Sequence, residues 1–552
     1  MFNSLGKHTL NNVQGRKFYP KDALGWAGAT FTLIMKTTFL SILFIFSSFC
    51  LEAQTIDVEH YKFEVTLSDA SDAITGKATL RIKLLADAAH VPLDLVSLDG
   101  QKGMVAYEVM ESGKALKTVH KNDQLIIYLL QPAQKGTVHT FQISYMGVPE
   151  DGLIISKNRH GDRTFFADNW PNRAHNWLPL NDVPGDKASV EFIVTAPAHY
   201  KIISNGTLVS EEKVGPDKAR THWKEEAPIP TKVMVIGAAR FAVARVDSSY
   251  AIPVTAWVYP QDSASGFYDY ALADDILGFF ETYIGPYPFK KLANVQSKTM
   301  FGGMENASAI FYAENTVTGT RKSEALLVHE IVHQWFGNTA TEKSFAHLWL
   351  SEGFATYLTD VYIEHKYGRD SFVKRLQDER EQVIKFAKNY SARAVVDSTA
   401  NYMDLLNANS YQKGGWVLHM LRNEVGDSLF KRIIQTYYGR YKWSNADTRD
   451  FQKVVEDASG KDFKVFFDQW LYRPGVPELQ IKKDIGKDGL KLDIVQVKNL
   501  FQFPLEIAVT ANGKTTKQVI FVKGKETTYK LEMKGVSGVV IDPDKKLLYA
   551  ER

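Results

Sequence analysis

Cysteine is almost missing from this 552-residue chain, which has a single one, Cys50. One cysteine forms neither an internal disulfide framework nor a zinc site built on thiolates. Net charge is also small, because 66 basic and 63 acidic residues sum to +3, and this gives no indication of a nucleic-acid partner. The residues that are present, 45% hydrophobic, 23% charged and 12% aromatic, are typical of a globular protein. At this length we expect roughly two to four domains.

The apolar run near the start of the chain is too short to span a bilayer as a helix. Residues 39–49 (FLSILFIFSSF) follow a short positive segment that begins at Met35-Lys36, and they precede the small residue Ala53. This order is typical of a secretory signal that is cleaved after Ala53, so we expect an exported, periplasmic or extracellular protein without a membrane span. Translation is expected to begin at Met35. An uncleaved anchor, a core helix or a lipid-modified Cys50 are the alternatives.

Three regions of different pattern follow this extension of residues 1–53. Alternating apolar and polar residues over 54–250 predict an antiparallel β domain. Over 251–475 strands give way to helical spacing, which predicts an α+β domain. Alternation returns over 476–552, after a Pro/Gly break, and predicts a small β-sandwich. Helices are predicted over 323–336, 348–366, 370–388 and 411–424.

One short segment carries the chemistry, HEIVH at positions 329–333. On a helix, residues four apart lie on the same face, so the imidazoles of His329 and His333 can bind one metal ion. The predicted helix over 323–336 supports this arrangement, because Ser323 is a suitable N-cap and apolar residues cover the other side. The composition gives roughly 0.04 chance occurrences of this pattern in the chain, so histidines on an ordinary surface helix are the weaker interpretation.

A catalytic zinc ion takes three protein ligands and keeps a fourth position for water. Glu352, nineteen residues after His333 and within the predicted helix over 348–366, is the expected third ligand. Two neutral imidazoles and one carboxylate leave such a site with a net charge of about +1, which favours hydroxide at neutral pH. We therefore predict one Zn²⁺ per chain, bound by His329, His333 and Glu352.

Glu330 lies between the two histidines and points slightly away from the metal side of the helix. It can therefore reach a water at the fourth position without binding the metal itself. Its predicted role is that of general base toward this water and then of general acid toward the leaving amine. A glutamate on the solvent side of the helix is the alternative.

These segments resemble a known family, the gluzincin zinc aminopeptidases typified by aminopeptidase N. The zinc motif with its later glutamate lies in HEIVHQWFGN (329–338) and LWLSEGFATY (348–357). The segments GGMEN (302–306) and YQKG (411–414) are similar to the family's exopeptidase motif and to its transition-state tyrosine segment. The resemblance implies a saddle-like N-terminal β domain, a thermolysin-like catalytic domain and a C-terminal β-sandwich. It also implies a short form that lacks the large C-terminal helical domain of many relatives.

The resemblance assigns roles to further residues. Glu305 would bind the free ammonium group of a peptide by charge-assisted hydrogen bonds, which an internal peptide bond cannot offer. Its neighbours complete that substrate-binding motif, namely Gly302, Gly303, Met304 and Asn306. Tyr411 would donate its hydroxyl to the oxyanion that forms at the scissile carbonyl. A turn glutamate paired with a basic residue and a core tyrosine are the alternatives for Glu305 and Tyr411.

One segment departs from the family pattern. Relatives usually present a Gln-x-Glu-Pro stretch from the β domain as a second contact for the ammonium group. Here Asp168 stands where the glutamine is expected and Trp170 where the glutamate is. Asp168 is thus a candidate second amine ligand, and a capping or turn aspartate is the alternative.

We therefore expect a secreted zinc aminopeptidase that hydrolyses the N-terminal peptide bond of peptides with a free amino terminus. One alternative is a zinc endopeptidase with the same site. Another is a non-enzymatic peptide-binding protein with structural zinc. Structural zinc sites close all four positions, usually with cysteines, and residues 54–552 contain none.

Overall fold

The structure is a computed structural model that describes residues 54–246 and 252–552. The predicted export signal, in residues 1–53, lies outside the described residues, and so does the predicted domain limit at 250 and 251. The described residues from Gln54 onward form one compact unit. The domain limits therefore stay predictions.

Alternation of apolar and polar residues produces the strands of the first region. Every second side chain is buried along most of β1 (Ile56–Thr66) and β2 (Ile74–Leu84). The further strands are β3 (Ala88–Asp94), β4 (Gly103–Glu111), β5 (Lys114–Ala115), β6 (Thr118–Lys121), β7 (Gln124–Ala133), β8 (Val138–Val148), β9 (Leu153–Lys157), β10 (Arg163–Ala167), β11 (Lys187–Pro197), β12 (Lys201–Ser204), β13 (Thr207–Lys213), β14 (Lys218–Pro230) and β15 (Ile236–Ala239).

Three sheets result, and the largest is not purely antiparallel. It has the order β13-β14-β11-β1-β2-β8-β4-β5, and β1 pairs with β11 in parallel. The chain reaches β11 only after forming strands of the two smaller sheets, β12-β15-β10-β9 and β3-β7-β6, and such a long connection permits parallel pairing. The prediction of an antiparallel domain is correct for the other pairs of this sheet and wrong for β1 and β11.

The second region combines a mixed sheet with helices. Its strands are β16 (Ala242–Arg245), β17 (Val254–Val258), β18 (Leu292–Ser297), β19 (Gly303–Met304), β20 (Ala309–Ala313), β21 (Ala340–Glu342) and β22 (Ser444–Ala446). The helices are α1 (Ser263–Tyr270), α2 (Leu272–Tyr283), α3 (Glu324–Val332), α4 (Trp349–Tyr367), α5 (Arg369–Asn389), α6 (Gly414–Val425), α7 (Asp427–Tyr441), α8 (Thr448–Ser459) and α9 (Lys464–Leu471). A π-helical segment precedes α6, and 3₁₀ turns occupy Ala174–Asn176, Thr231–Val233, Pro260–Asp262, Glu314–Thr316, Phe345–His347 and Tyr402–Leu405.

The five-stranded sheet has the order β16-β17-β18-β20-β19, with the inner strands β17, β18 and β20 parallel. Its edge strand β16 comes from residues before the predicted limit at 251. The helices predicted over 348–366 and 370–388 correspond to α4 and α5. The helix predicted over 323–336 is the shorter α3, which begins at Glu324 after Ser323 at the N-cap position and ends at Val332. The Ser323 hydroxyl donates to the Thr316 carbonyl (2.8 Å), so its side chain does not cap the helix.

The third region consists of two small sheets, ordered β27-β24-β23-β29 and β26-β25-β28. The strands are β23 (Glu478–Gly486), β24 (Gly489–Gln496), β25 (Phe503–Ala511), β26 (Lys514–Val522), β27 (Glu526–Glu532), β28 (Val536–Ile541) and β29 (Ala550–Glu551). Buried apolar side chains of all three regions form one continuous cluster. The predicted fold class, mixed α+β with a β-rich first region, a helical second region and C-terminal β-sheets, is confirmed. In the described part of the chain, no helix combines the length and the apolar character that crossing a membrane requires.

Candidate metal centre

Two packed helices bring the three predicted metal ligands together. His329 lies on α3, and His333 follows in its last turn, where its N–H donates to the His329 carbonyl (3.3 Å). Glu352 lies in the first turn of α4. The two Nε2 atoms are 3.1 Å apart, and Glu352 Oε2 is 3.2 Å from the Nε2 of His329 and 3.3 Å from that of His333.

The donor set fits a zinc ion. The other ring nitrogen of His333, Nδ1, lies 3.1 Å from the Phe336 carbonyl and 3.1 Å from the Ser351 hydroxyl. A carbonyl only accepts, so Nδ1 carries a proton, and in the neutral ring the lone pair of Nε2 faces Glu352. These atoms, two imidazole nitrogens and one carboxylate oxygen, converge within hydrogen-bond distance of one another and match the ligands of a catalytic zinc site.

Burial and charge act against each other at these ligands. Burial lowers the pKa of His333, but the adjacent Glu352 carboxylate outweighs burial and raises this pKa to about 10. Burial raises the pKa of Glu352, but the charge of His333 outweighs it and holds the pKa well below its usual range. The cluster therefore favours a positive charge between its ligands.

Glu330 is buried on the same helix, with its carboxyl group against β19. A Cβ atom on Gly303 would lie 2.4 Å from Glu330 Oε1, so only glycine allows the strand to approach this closely. Burial raises the pKa of Glu330 well above its ordinary value, and the charge of Glu305 adds to the rise while His333 opposes it. A raised pKa favours proton uptake by this carboxyl group, as the role of general base requires.

Glu305 follows β19 and is also buried. Its main-chain carbonyl accepts hydrogen bonds from Gln334 Nε2 (2.8 Å) and Asn338 Nδ2 (2.7 Å). Its side-chain Oε1 has no hydrogen-bond partner among the described residues. Sequence reasoning missed the two amides, although buried amides within the apolar segment 329–338 were a usable signal.

The other residues of the GGMEN segment shape the strand beside the helix. Gly303 and Met304 form β19, which pairs with β20, and the Gly302 carbonyl accepts from the N–H of Ala313 (3.0 Å). Asn306 is fully buried, and neither polar atom of its amide finds a hydrogen-bond partner within residues 54–246 and 252–552. The segment thus leaves unpaired polar atoms beside the metal cluster.

Tyr411 lies over the metal cluster. Its ring stacks on the His329 ring, with centroids 5.9 Å apart and planes 14° from parallel. Burial, and then the charges of Glu352, Glu305 and Glu330, raise its pKa well above the usual value. The hydroxyl therefore keeps its proton and is a hydrogen-bond donor at neutral pH.

Asp168 is fully buried, and both of its oxygens have protein partners. Oδ1 accepts from Arg173 Nη2 (2.7 Å), and Oδ2 accepts from the Thr299 hydroxyl and the Met300 N–H (3.0 Å each). Trp170 is buried nearby. This geometry favours the alternative interpretation, a carboxylate that holds the turn before the GGMEN segment, and it gives no support to contact with an ammonium group.

Two parts of the chain match one protein family. Residues 268–470 match the Peptidase family M1 domain, and residues 57–233 match the Peptidase M1 N-terminal domain. The two matches cover the β-rich first region and most of the helical region that carries the metal cluster.

Curated proteins similar to this chain are aminopeptidases from distant organisms. Glutamyl aminopeptidase of Homo sapiens is 27% identical over 407 residues, which cover 68% of this chain and 42% of that protein. Probable aminopeptidase 1 of Sulfurisphaera tokodaii is 25% identical over 481 residues, which cover 83% of this chain and 59% of that protein. Aminopeptidase M1 of Arabidopsis thaliana is 24% identical over 450 residues, which cover 77% and 51%. The chain thus spans about half the length of these relatives.

A solved structure shares the fold. The crystal structure of Legionella pneumophila aminopeptidase A in complex with aspartic acid superposes with a TM-score of 0.80 at 16% identity. The superposition covers 91% of this chain and 60% of that one. At this identity the likeness shows the architecture alone.

Proposed function

Because the chain belongs to peptidase family M1, we propose that it is a zinc aminopeptidase, which hydrolyses the N-terminal peptide bond of peptides with a free amino terminus. His329, His333 and Glu352 would bind the zinc ion. When bound, zinc supplies a Lewis acid that acidifies water and polarises a carbonyl group.

One observation carries the proposal, the unpaired buried oxygen of Glu305 beside the metal cluster. A buried carboxylate oxygen without a donor is costly, so a cationic group on the substrate would stabilise it. The ammonium group of a peptide N-terminus supplies this charge and three N–H donors. An internal peptide bond supplies neither, and this favours an aminopeptidase over an endopeptidase with the same ligands.

The remaining steps use groups of the chain itself. Glu330 would take a proton from the attacking water and return it to the leaving amine, and burial, which raises its pKa, favours this proton uptake. Tyr411 would donate its O–H to the oxygen of the scissile carbonyl as negative charge develops there. Gln334 and Asn338 would hold the Glu305 backbone in place while substrate binds.

A pair of peptides tests this proposal. We expect a free peptide to be cleaved after its first residue, and its N-acetylated twin to be cleaved at least about 100-fold more slowly, since the lost charge-assisted hydrogen bonds are each worth about 1.5–3 kcal/mol. The measurement is kcat/KM for both peptides by chromatography of the products. Equal rates, or cleavage at internal bonds, would contradict the aminopeptidase assignment.

The variant Glu305→Gln separates the amine contact from the rest of the site. It should lower kcat/KM for the free peptide about 10- to 100-fold and leave the slow rate on the acetylated peptide unchanged. Glu324→Gln is the matched control, because Glu324 opens α3 but forms its ion pair with Lys366 at the surface. The control should keep the wild-type preference for free peptides.

We further propose that the protein is exported, with residues 39–49 as the apolar part of a signal cleaved near Ala53. The support is the order of the positive segment at Lys36, the apolar run and the small residue Ala53 in the sequence. Residues 54–552 contain no cysteine, so an oxidising compartment poses no risk of incorrect disulfides.

A further inference from the structure

Tyr411 does not lie on an ordinary helix. It is the middle residue of a π-helical segment, Asn409–Lys413, that runs directly into α6. The Lys413 N–H donates to the Ala408 carbonyl (2.8 Å), which is the five-residue spacing of a π-helix. Such segments are rare and less stable than α-helix, so contacts from outside must hold this one in place.

Lys413 provides an unusual contact of this kind. Its side chain is 1% exposed, and Nζ donates to the carbonyls of Gly475 (2.9 Å) and Arg473 (3.4 Å). No carboxylate forms an ion pair with it among the described residues. Burial lowers its pKa to about 7. A buried amine with only backbone acceptors is costly, and fixing the π-helical segment is a role that accounts for this cost.

The two carbonyls belong to a turn that is itself hydrogen-bonded to the loop between β24 and β25. Arg473 Nη1 donates to the Leu500 carbonyl (3.2 Å), and Asn499 Nδ2 donates to the Pro474 carbonyl (3.3 Å). Just before the turn, Gln469 Nε2 donates to the Gln502 carbonyl (2.7 Å). The position of Lys413 is therefore set by the third region of the chain.

On the side that faces α4 the π-helical segment is closely packed. Gly414, directly after Lys413, packs on Gly353, and a Cβ atom on Gly353 would lie 2.9 Å from the Gly414 backbone. Gly353 follows the predicted zinc ligand Glu352. The π-helical segment is thus held between α4 and the turn at 473–475, with the ring of Tyr411 on His329.

We propose that Lys413 is a positioning residue, which holds the Tyr411 hydroxyl in its catalytic place through the turn at 473–475, so that the third region of the chain supports the geometry of the site. This inference rests on the proposed function. It predicts that loss of the Lys413 contact acts through Tyr411 and slows the chemical step, while binding of substrate and zinc is retained.

The test is a double-mutant cycle in the full chain, with zinc loaded. Lys413→Met keeps the length of the side chain and removes its donors, and we expect kcat on an amino-acid anilide to fall about tenfold or more with KM within about twofold. In a Tyr411→Phe background the same change should alter kcat less than about twofold. A crystal structure of Lys413→Met should show the Tyr411 ring displaced from its stacking on His329.

Arg380→Met is the matched control. Arg380 Nε donates to the Tyr549 carbonyl (2.8 Å), so it also joins a catalytic-region helix to the C-terminal sheets by a cation and a carbonyl, but not at the π-helical segment. We expect this control to lower the melting temperature and leave kcat unchanged. If Lys413→Met does not fold, Lys413→Gln replaces it, because the amide NH2 group of glutamine still donates hydrogen bonds. We expect Lys413→Gln to have a kcat between those of the wild type and Lys413→Met, and to change kcat less than about twofold in the Tyr411→Phe background.

The outcomes separate the two proposals. An active wild type with an unchanged kcat in Lys413→Met, or an equal loss in both backgrounds, would overturn the role of Lys413 alone. A wild type that holds zinc but hydrolyses no anilide would overturn the proposed function and this inference with it.

Discussion

Glu330→Gln is expected to keep its zinc ion and to lose about 10²- to 10⁴-fold in kcat. The substitution preserves shape and hydrogen-bonding capacity but cannot accept a proton, and this range is typical for removal of a general acid–base group. The measurements are the zinc content by elemental analysis and kcat on an amino-acid anilide. A variant with zinc and a rate near that of the wild type would remove Glu330 from the mechanism.

Stability provides the control for this variant. Glu330 is buried between other charged groups, and its raised pKa shows that the surroundings disfavour its charge. A neutral amide at this position should therefore leave the melting temperature unchanged or raise it. A large drop in melting temperature together with the loss of activity would point to damaged packing near Gly303 and not to lost proton transfer.

Tyr411→Phe should lower kcat about 10²- to 10³-fold while KM and zinc content stay close to wild-type values. The phenol is placed over the metal ligands with its proton retained, and loss of one preorganised oxyanion donor has an effect of this size. Single-turnover kinetics with the anilide substrate separate the chemical step from binding. An unchanged rate would refute the oxyanion role.

Tyr357→Phe is the matched control for Tyr411→Phe. Tyr357 is fully buried on α4, and its hydroxyl hydrogen-bonds to His419 Nδ1 (3.1 Å), which is not one of the predicted metal ligands. Removal of this hydroxyl should cost about 0.5–1.5 kcal/mol of folding free energy and leave kcat unchanged. The pair of variants thus distinguishes a buried tyrosine that acts on substrate from one that only packs.

Sequence reasoning was most successful where the positions of residues follow the regular repeat of a helix or a strand. The spacing of His329 and His333 places both on one helix face whatever the rest of the fold, and α3 does so. Glu352 lies in the first turn of a helix that the sequence also predicts. Alternation of apolar and polar residues likewise predicted the β-rich first and third regions, because a strand with one face in the core places every second side chain in the core.

Sequence reasoning was least successful where the role of a residue depends on contacts with residues distant in the sequence. Asp168 was a candidate amine ligand, but Thr299 and Met300, far along the chain, engage one of its oxygens. The helix predicted from Tyr411 begins as a π-helical segment, in which Lys413 Nζ donates to the carbonyl of Gly475, sixty-two residues away. Neither contact leaves a periodic signal in the sequence, and both became visible only with the tertiary structure.

The most direct measurement is the metal content of the purified wild-type protein, taken together with its activity on an anilide before and after treatment with a chelator. We expect about one zinc ion per chain, complete loss of hydrolysis when it is removed, and recovery when zinc is added back. The variant His333→Ala should bind no stoichiometric zinc. Purified protein that hydrolyses the substrate without a bound metal ion, or that binds zinc equally well after this substitution, would contradict the proposed metal centre.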